Sequence, residues 1–224
     1  PFRNIVLTKV DSESEAALQG ATFILVDEDD NVIEEELITD SDGQIRITGL
    51  PAGNYKLVER DPPRGYDLGN EREYTFYVEG TETSTEPVSL VATNDIIKGS
   101  IEITKVDAMD NNITLDGVEF TLESISLVNG DSFTTLTELT TDSNGKIIID
   151  ELTPGTYRLT ETAAHEGYQL HWEPIEFTID LANEDGESHA VELTVENYKL
   201  VNIPVTKVWN DNDDEGNARP ESIT

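Results

Sequence analysis

The chain has 224 residues and a formal net charge of −33 at pH 7, with 14 Lys and Arg against 47 Asp and Glu. Phosphate binding requires clustered Lys and Arg, so this charge argues against nucleic acid and against an anionic membrane surface as partners. The sequence has no cysteine, which excludes disulfides and thiolate zinc sites. No apolar run reaches the roughly 18 residues that a membrane-spanning helix needs. We therefore expect no membrane insertion, no metal centre and no cofactor.

The chain carries an internal repeat. Residues 7–11 (LTKVD) recur as residues 103–107 (ITKVD) and in part as residues 205–209 (VTKVW). Three further segments recur in the same order: residues 39–43 as 141–145, residues 53–59 as 155–161, and residues 65–66 as 167–168. We predict two complete domains, residues 1–97 and 98–200, followed at residues 201–224 by the first strand and loop of a third, truncated domain.

Each unit has the pattern of an all-β, antiparallel sandwich. Short runs rich in Ile, Val, Thr, Tyr and Phe alternate with polar residues, and turn sequences such as residues 27–31 and 40–43 separate them. Roughly seven strands in about a hundred residues is the strand density of such a sandwich. Only residues 13–18 suggest a turn of helix. The short linker at residues 95–100 predicts domains that stand end to end.

Three strands of each unit carry a polar residue on the face that is otherwise apolar, because residues two apart in a strand share a face. The polar residue follows two apolar ones each time: Lys9 after Ile5 and Leu7, Glu59 after Tyr55 and Leu57, Asn94 after Leu90 and Ala92, Lys105 after Ile101 and Ile103, Glu161 after Tyr157 and Leu159, and Asn197 after Leu193 and Val195. A buried ion pair, or strand ends that reach solvent, would also explain any one position. A buried ion pair is usually no more stabilising than hydrocarbon, so the repetition of all three indicates a chemical role.

A lysine, a glutamic acid and an asparagine in an apolar interior can react with one another. Such an environment lowers the pKa of an amine and raises that of a carboxylic acid, so that a neutral pair is favoured. The neutral amine can then attack the asparagine carboxamide while the acid polarises it and passes the proton to the leaving nitrogen. The product is a Lys–Asn side-chain amide and one ammonia. Since each site reacts once, the protein is not expected to be an enzyme.

These motifs resemble the Cna B-type or SpaA-like pilin domains of Gram-positive surface adhesins and pili. The resemblance is carried by the Thr-Lys-Val-Asp strand, the Thr-Asp-Ser-(Asp/Asn)-Gly turn, and the Gly-x-Tyr-x-Leu-x-Glu strand that precedes Gly-Tyr. Residues 205–211 and 219–223 resemble the opening of the Trp-containing variety of the same domain. Together these motifs cover essentially the whole chain.

The resemblance implies tandem transthyretin-like (Cna B-type, Ig-like) β-sandwich domains with intramolecular Lys–Asn isopeptide bonds. It assigns the role of catalytic acid to one glutamate in each domain and the cross-link to a lysine and an asparagine. The implied residues are Glu59 with Lys9 and Asn94, Glu161 with Lys105 and Asn197, and, in the third domain, the cross-link lysine Lys207. Asp95 is an alternative acceptor beside Asn94, and the alternation of faces favours Asn94.

The resulting functional expectation is a rigid stalk or shaft region of a surface protein. We expect it outside the cell, on a Gram-positive cell wall, with the neighbouring domains of the same longer chain as its partners. A host extracellular-matrix protein would be bound by regions outside this chain. The alternative is a host-ligand-binding adhesin module, for which the longer stretch at residues 124–138, with Phe133, is the best candidate surface.

Other signals give weaker expectations. Tyr168 and Trp172 would be the aromatic residues of a sugar-binding module, although aromatic residues make up only 7 % of the chain. His165 and His171 are six positions apart, and zinc-protease histidines on a helix are four apart. Residues 211–216 resemble the start of a calcium-binding loop, but its twelfth position is Ser222 and not the usual Glu. We therefore expect a solvated acidic loop there, with a weak calcium site as the alternative.

Overall fold

The computed structural model describes residues 3–79, 86–130, 135–183, 185–206 and 208, and within these ranges it contains β-strands and no helix. Each repeat provides eight strands. Those of the first repeat are β1 (Arg3–Asp11), β2 (Thr22–Asp27), β3 (Val32–Ile38), β4 (Gln44–Leu50), β5 (Gly53–Asp61), β6 (Tyr66–Asp67), β7 (Glu73–Val78) and β8 (Val88–Ile96). Those of the second are β9 (Gly99–Asp107), β10 (Asp110–Thr114), β11 (Glu119–Leu127), β12 (Thr135–Thr140), β13 (Lys146–Leu152), β14 (Gly155–Ala163), β15 (Ile175–Ile179) and β16 (Ala190–Asn197).

Each repeat folds into two four-stranded sheets that share one apolar core. In the first domain the sheets have the strand orders β4-β1-β8-β6 and β3-β2-β5-β7. In the second domain β9 pairs with β10, β13 and β16, and the other sheet has the order β12-β11-β14-β15. The cores contain equivalent aromatic pairs: Tyr55 stacks on Phe76 and Tyr157 on Phe177, each with ring centroids 5.6 Å apart. The predicted pair of all-β sandwiches is confirmed.

The first and last strands of each domain are neighbours and run parallel. In the register of β1 and β8, Asp11 faces Asn94. In the register of β9 and β16, Asp107 faces Asn197. The expectation of a wholly antiparallel sandwich is therefore wrong at this pair. The period of two is common to both strand directions, and no hairpin joins the first strand to the last, so the sequence pattern could not reveal the direction.

Two local expectations also change. Residues 13–18 form no helix, because the Asp11 carboxylate accepts hydrogen bonds from the backbone N–H of Glu13 and Ser14 and holds a turn. The longer stretch of the second domain, the candidate surface at residues 124–138, has strand at both ends, since β11 continues to Leu127 and β12 begins at Thr135. Phe133, Lys207 and residues 211–216 with Ser222 lie outside the described residues.

Two buried lysine–glutamate–asparagine sites

The three polar residues predicted to face the interior of each domain lie there. Each retains at most 4 % of its accessible surface: Lys9, Glu59, Asn94, Lys105, Glu161 and Asn197. The lysine comes from the first strand, the asparagine from the last strand beside it, and the glutamate from the opposite sheet. In both domains the glutamate strand is held by the same pairing, Glu59 to Phe23 and Glu161 to Phe120. The fold therefore brings together three strand positions that are far apart in sequence.

In the first domain, one glutamate oxygen receives both partners. Lys9 Nζ donates to Glu59 Oε2 at 3.0 Å, and Asn94 Nδ2 donates to the same oxygen at 3.4 Å. Glu59 Oε1 and Asn94 Oδ1 are buried and accept no hydrogen bond from the described residues. The carboxylate thus lies between the amine and the carboxamide.

In the second domain, the amine contacts the carboxamide directly. Lys105 Nζ donates to Asn197 Oδ1 at 2.7 Å and to the main-chain oxygen of Val195 at 3.1 Å. Asn197 Nδ2 donates to Glu161 Oε1 at 2.7 Å, and Glu161 Oε2 lies 3.6 Å from Lys105 Nζ. The main-chain N–H of His171 also donates to Glu161 Oε1, at 3.3 Å. The amine therefore lies next to the carbonyl group, and the glutamate contacts the nitrogen that would leave.

Burial shifts the protonation of these groups toward the neutral forms. Burial lowers the pKa of Lys9 and raises the pKa of Glu59, each against the opposing attraction of the partner. Burial lowers the pKa of Lys105 to about 8, against the opposing charge of Glu161. A neutral amine is the nucleophilic form of lysine, so the environment favours the species that can attack a carboxamide.

The neighbouring acid Asp95 does not enter the first site. It is exposed on the outer face of β8, where the Ser12 hydroxyl donates to its carboxylate. Asn94 is thus the β8 side chain that the structure brings to Glu59, as the alternation of faces predicts.

Of the other residues singled out from the sequence, His171 reaches the second site through its main-chain N–H, and the side chains of the rest make other contacts. Tyr168 donates its hydroxyl to Asp107 Oδ2 at 2.8 Å, and the Trp172 side chain is 69 % exposed. His165 Nδ1 lies 2.8 Å from the main-chain oxygen of Asp116. Among the described residues, no three metal-ligating side chains cluster together. Within the same residues no helix is long and apolar enough to cross a membrane.

Sequence reasoning missed two main-chain groups of the second site. These are the oxygen of Val195 and the N–H of His171. Main-chain groups carry no residue-type signal. The only sequence hint was that the segment after Gly167 and Tyr168 must return to the sheet that holds Glu161.

Comparison with known families defines the class of protein. The model of the SpaA prealbumin-like fold domain matches this chain twice, at residues 3–94 and 99–199. The chain therefore belongs to the SpaA prealbumin-like domain family, and the resemblance drawn from its motifs is confirmed.

Individual relatives are surface proteins of Gram-positive bacteria. The chain is 26 % identical to the collagen adhesin of Staphylococcus aureus over 96 % of its own length, and it covers 19 % of that protein. It is 29 % identical to the serine-aspartate repeat-containing protein D of Staphylococcus aureus strain Newman, over 69 % of this chain and 12 % of that protein. Among solved structures it is similar to the Bacillus anthracis TIE protein, with a TM-score of 0.64 and 27 % identity over 89 % of this chain and 34 % of that one. The chain thus spans about a fifth or less of the curated relatives that it matches.

Proposed function

We propose that this chain is a stalk or shaft region of a Gram-positive cell-surface adhesin or pilin, made tension-resistant by two intramolecular isopeptide bonds. The observation that supports it best is that both domains hold a buried Lys–Glu–Asn set between their first and last strands. One bond would join Lys9 to Asn94 and the other Lys105 to Asn197. Glu59 and Glu161 would be the catalytic acids.

The proposed reaction balances without any external reagent. The neutral lysine nitrogen forms a bond to the asparagine side-chain carbon, and the bond from that carbon to Nδ2 breaks. The amine loses one proton, which the glutamate carries to the departing nitrogen, so that ammonia leaves and the glutamate is regenerated. The contacts of the second site suit these roles, because Lys105 lies at the carbonyl group and Glu161 at the leaving nitrogen. Fixed proximity supplies much of the rate, and each site reacts once.

The parallel pairing of the first and last strands gives the bond its mechanical role. The chain enters a domain at one end of β1 and leaves at the other end of β8, so tension along the chain shears these two adjacent strands. A covalent link from Lys9 to Asn94 would carry that load directly. Residues 10–93 would then lie outside the path of the force, and the same holds for the second domain between Lys105 and Asn197.

The bond would also stabilise each domain against thermal unfolding. It closes a loop of about 85 residues in the first domain. If the entropy argument for disulfides applies, a loop of this size stabilises a domain by about 4–5 kcal/mol. An amide is not opened by reducing agents, which suits a protein outside the cell.

The remaining parts of the proposal concern the setting of this region. Its partners would be the neighbouring domains of one longer chain on the cell wall, and its net charge of −33 would oppose self-association. We propose domain boundaries at residues 1–97 and 98–200, with residues 201–224 opening a third domain whose cross-link lysine is Lys207. The location outside the cell rests on relatives that are Gram-positive surface proteins.

Stretching of single molecules tests the mechanical proposal. Pulled from its two ends, the chain should show no release of the contour length of residues 10–93 or 106–196. A chain with Asn94→Ala and Asn197→Ala should release both lengths. A chain with the exposed residues Asn54→Ala and Asn112→Ala is the matched control and should remain inextensible. Release of the full domain length from the unchanged chain would contradict the proposed role.

A further inference from the structure

The junction between the two domains is built on a glycine of the first domain. Gly65 is buried with φ +86°, and Leu181 of the second domain lies against it. A Cβ atom on Gly65 would come within 2.5 Å of Leu181 Cδ2 and 3.2 Å of its Cβ. At the same junction, the Cβ position of Gly186 lies 4.0 Å from Ile97 Cδ1, which is within the range of an apolar contact. Gly65 thus suits both the backbone conformation and the close approach of Leu181.

The second domain carries the same local structure at its corresponding end. The N–H of Leu200 donates to Gly167 O at 2.8 Å, as the N–H of Ile97 donates to Gly65 O at 2.8 Å. Gly167 has φ +84°, like Gly65. Within the described part of the chain, however, no atom lies within 4 Å of the Cβ position of Gly167, and this glycine is exposed. Both domains therefore have the same glycine turn. A leucine packs on it in the first domain, and no described residue packs on it in the second.

Exposed apolar side chains lie on the segments that contact the turn at Gly167, because Leu200 donates to Gly167 O and the Tyr168 hydroxyl donates to Asp107, two residues before Met109. We call this end of the second domain the distal face; it carries Met109, Leu170, Tyr198, Leu200 and Val201, with exposures of 82 %, 40 %, 61 %, 61 % and 77 %. In the first domain the positions of Met109 and Val201 hold Glu13 and Lys98, which form an ion pair of 2.9 Å. Grouped apolar side chains on a surface mark an interaction site.

We infer that the distal face is the docking surface for a further SpaA-type domain that follows in the same chain. The end of that domain that meets the distal face would place a leucine on Gly167, as the second domain places Leu181 on Gly65. The inference rests on the proposed function, in which residues 201–224 open a further domain. The sequence spacing supports this occupant: Lys105 follows Asn94 by 11 positions, and Lys207 follows Asn197 by 10. A following domain would start at nearly the same distance from the distal face as the second domain does from the first.

The charge at this surface narrows the chemistry of the occupant. In the first junction, Arg64 lines a cleft together with Asp180 of the second domain. The residue at the position of Arg64 in the second domain is Glu166, one position before Gly167. The occupant is therefore a leucine-bearing turn with a basic or uncharged residue opposite Glu166, since an acid there would repel it.

An extended chain tests the inference. In this probe, residues 1–205 are followed by a second copy of residues 104–200 in which Asp180 is changed to Asn, so that the added domain presents a leucine and no acid to the distal face. The chain has no cysteine, so that spin labels react only with cysteines introduced at chosen positions. The exposed, equivalent positions Arg46→Cys and Ile148→Cys report on the first junction. Ile148→Cys and its counterpart in the added domain report on the second. We expect a narrow distribution of spin–spin distances across both junctions.

Variants assign the result to the distal face. Gly167→Leu should broaden only the second distance distribution, and its matched control, Gly65→Leu, should broaden only the first. Leu200→Asp, which leaves the backbone conformation free of strain, should also broaden the second. Restoring Asp180 in the added copy should broaden the second distribution, and Glu166→Arg should then narrow it again, because Asp180 would face a basic residue as it faces Arg64 at the first junction. The inference would be overturned if, at the second junction, the unmutated probe gave a distance distribution as broad as that of the Leu200→Asp probe.

Two controls separate the remaining outcomes. If the intact mass of the probe shows the ammonia losses while the second junction is broad, the docking inference fails and the proposed function stands. If the ammonia losses are missing, the proposed function fails. Sedimentation of the natural chain should give a monomer. Head-to-tail association that Leu200→Asp abolishes would make a second copy the occupant and overturn the inference.

Discussion

The two buried sites use the same three residue types at the same strand positions, yet they hold them differently. In the second domain Lys105 contacts the asparagine oxygen, and Glu161 contacts the nitrogen. In the first domain Lys9 and Asn94 both contact one oxygen of Glu59, and the asparagine oxygen accepts no hydrogen bond from the described residues. The second site is therefore already arranged for attack, whereas in the first the carboxamide must turn.

The groups around the two sites differ as well. Val195 O and the N–H of His171 provide additional contacts to the amine and to the glutamate in the second domain. In the first domain Tyr74 pairs with Leu57, and in the second domain the aliphatic Ile175 pairs with Leu159 at the same position. Burial and the charge of Glu59 raise the pKa of Tyr74 to about 12. Strand register thus brings a lysine, a glutamate and an asparagine together in both domains, whereas the contacts around them differ.

The largest expected effect comes from removal of either asparagine. Asn94→Ala and Asn197→Ala would each remove one proposed bond, and each should destabilise its own domain by about 4–5 kcal/mol. For a domain of about 100 residues this lowers the Tm by roughly 20 °C or more. Calorimetry should show one transition shifted and the other retained. Asn112→Ala, on the exposed strand β10, is the control; an equally small shift in all three variants would argue against both bonds.

The order of bond formation sharpens the comparison. Because its groups are already oriented, the second domain should form its bond about tenfold faster than the first. Mass spectra of newly translated chain, taken at short times, should show an intermediate that lacks one ammonia. Fragmentation should place that loss at Lys105 and Asn197. An intermediate linked at Lys9 and Asn94 would reverse the assignment.

The pH dependence of an unlinked second domain tests the buried amine. In the Asn197→Ala chain Lys105 remains an amine, with a pKa lowered toward about 8 from its ordinary 10.5. Between these values the unfolded chain binds more protons than the folded one, so stability should rise with pH from about 8 to 10.5 and stay level below that window. Thermal melts across this range measure it. Adding Lys105→Met should remove the rise, and a rise that persists would assign it to other groups.

The smallest expected effect belongs to Asp95. Since its carboxylate faces solvent, Asp95→Ala should leave the mass loss of the first domain unchanged. Asn94→Ala should abolish that loss even though Asp95 remains beside it. Intact mass distinguishes the two variants directly. A loss of one water in place of one ammonia, abolished by Asp95→Ala, would make Asp95 the acceptor, because a carboxylic acid releases water when it forms an amide.

The sequence carried much of this architecture because alternation along a strand determines which face a side chain joins. The inward positions of Lys9, Glu59 and Asn94 follow from their apolar neighbours two residues away. The parallel direction of the first and last strands does not, because alternation is the same in both directions. Residues 13–18 have a helical residue pattern but form a turn held by Asp11, because a side-chain hydrogen bond to the backbone leaves little trace in that pattern.

The contacts that distinguish the two sites lay further from prediction. They depend on main-chain atoms at Val195 and His171, whose positions are set by the packing of a whole loop. The exposed turn at Gly167 is recognised as a possible leucine-binding position only by comparison with Gly65, against which Leu181 packs. A Gly-Tyr motif in the sequence indicates a turn, but it does not indicate which side chain packs against that turn.

The identity of the covalent bonds is tested most directly by the mass of the purified chain. The account predicts an intact mass two ammonia masses below that of the sequence. Proteolysis should yield branched peptides in which Lys9 is joined to Asn94 and Lys105 to Asn197, and Glu59→Ala should restore one ammonia mass and Glu161→Ala the other. The full sequence mass in the unchanged chain, with four linear peptides in place of the two branched ones, would contradict the account.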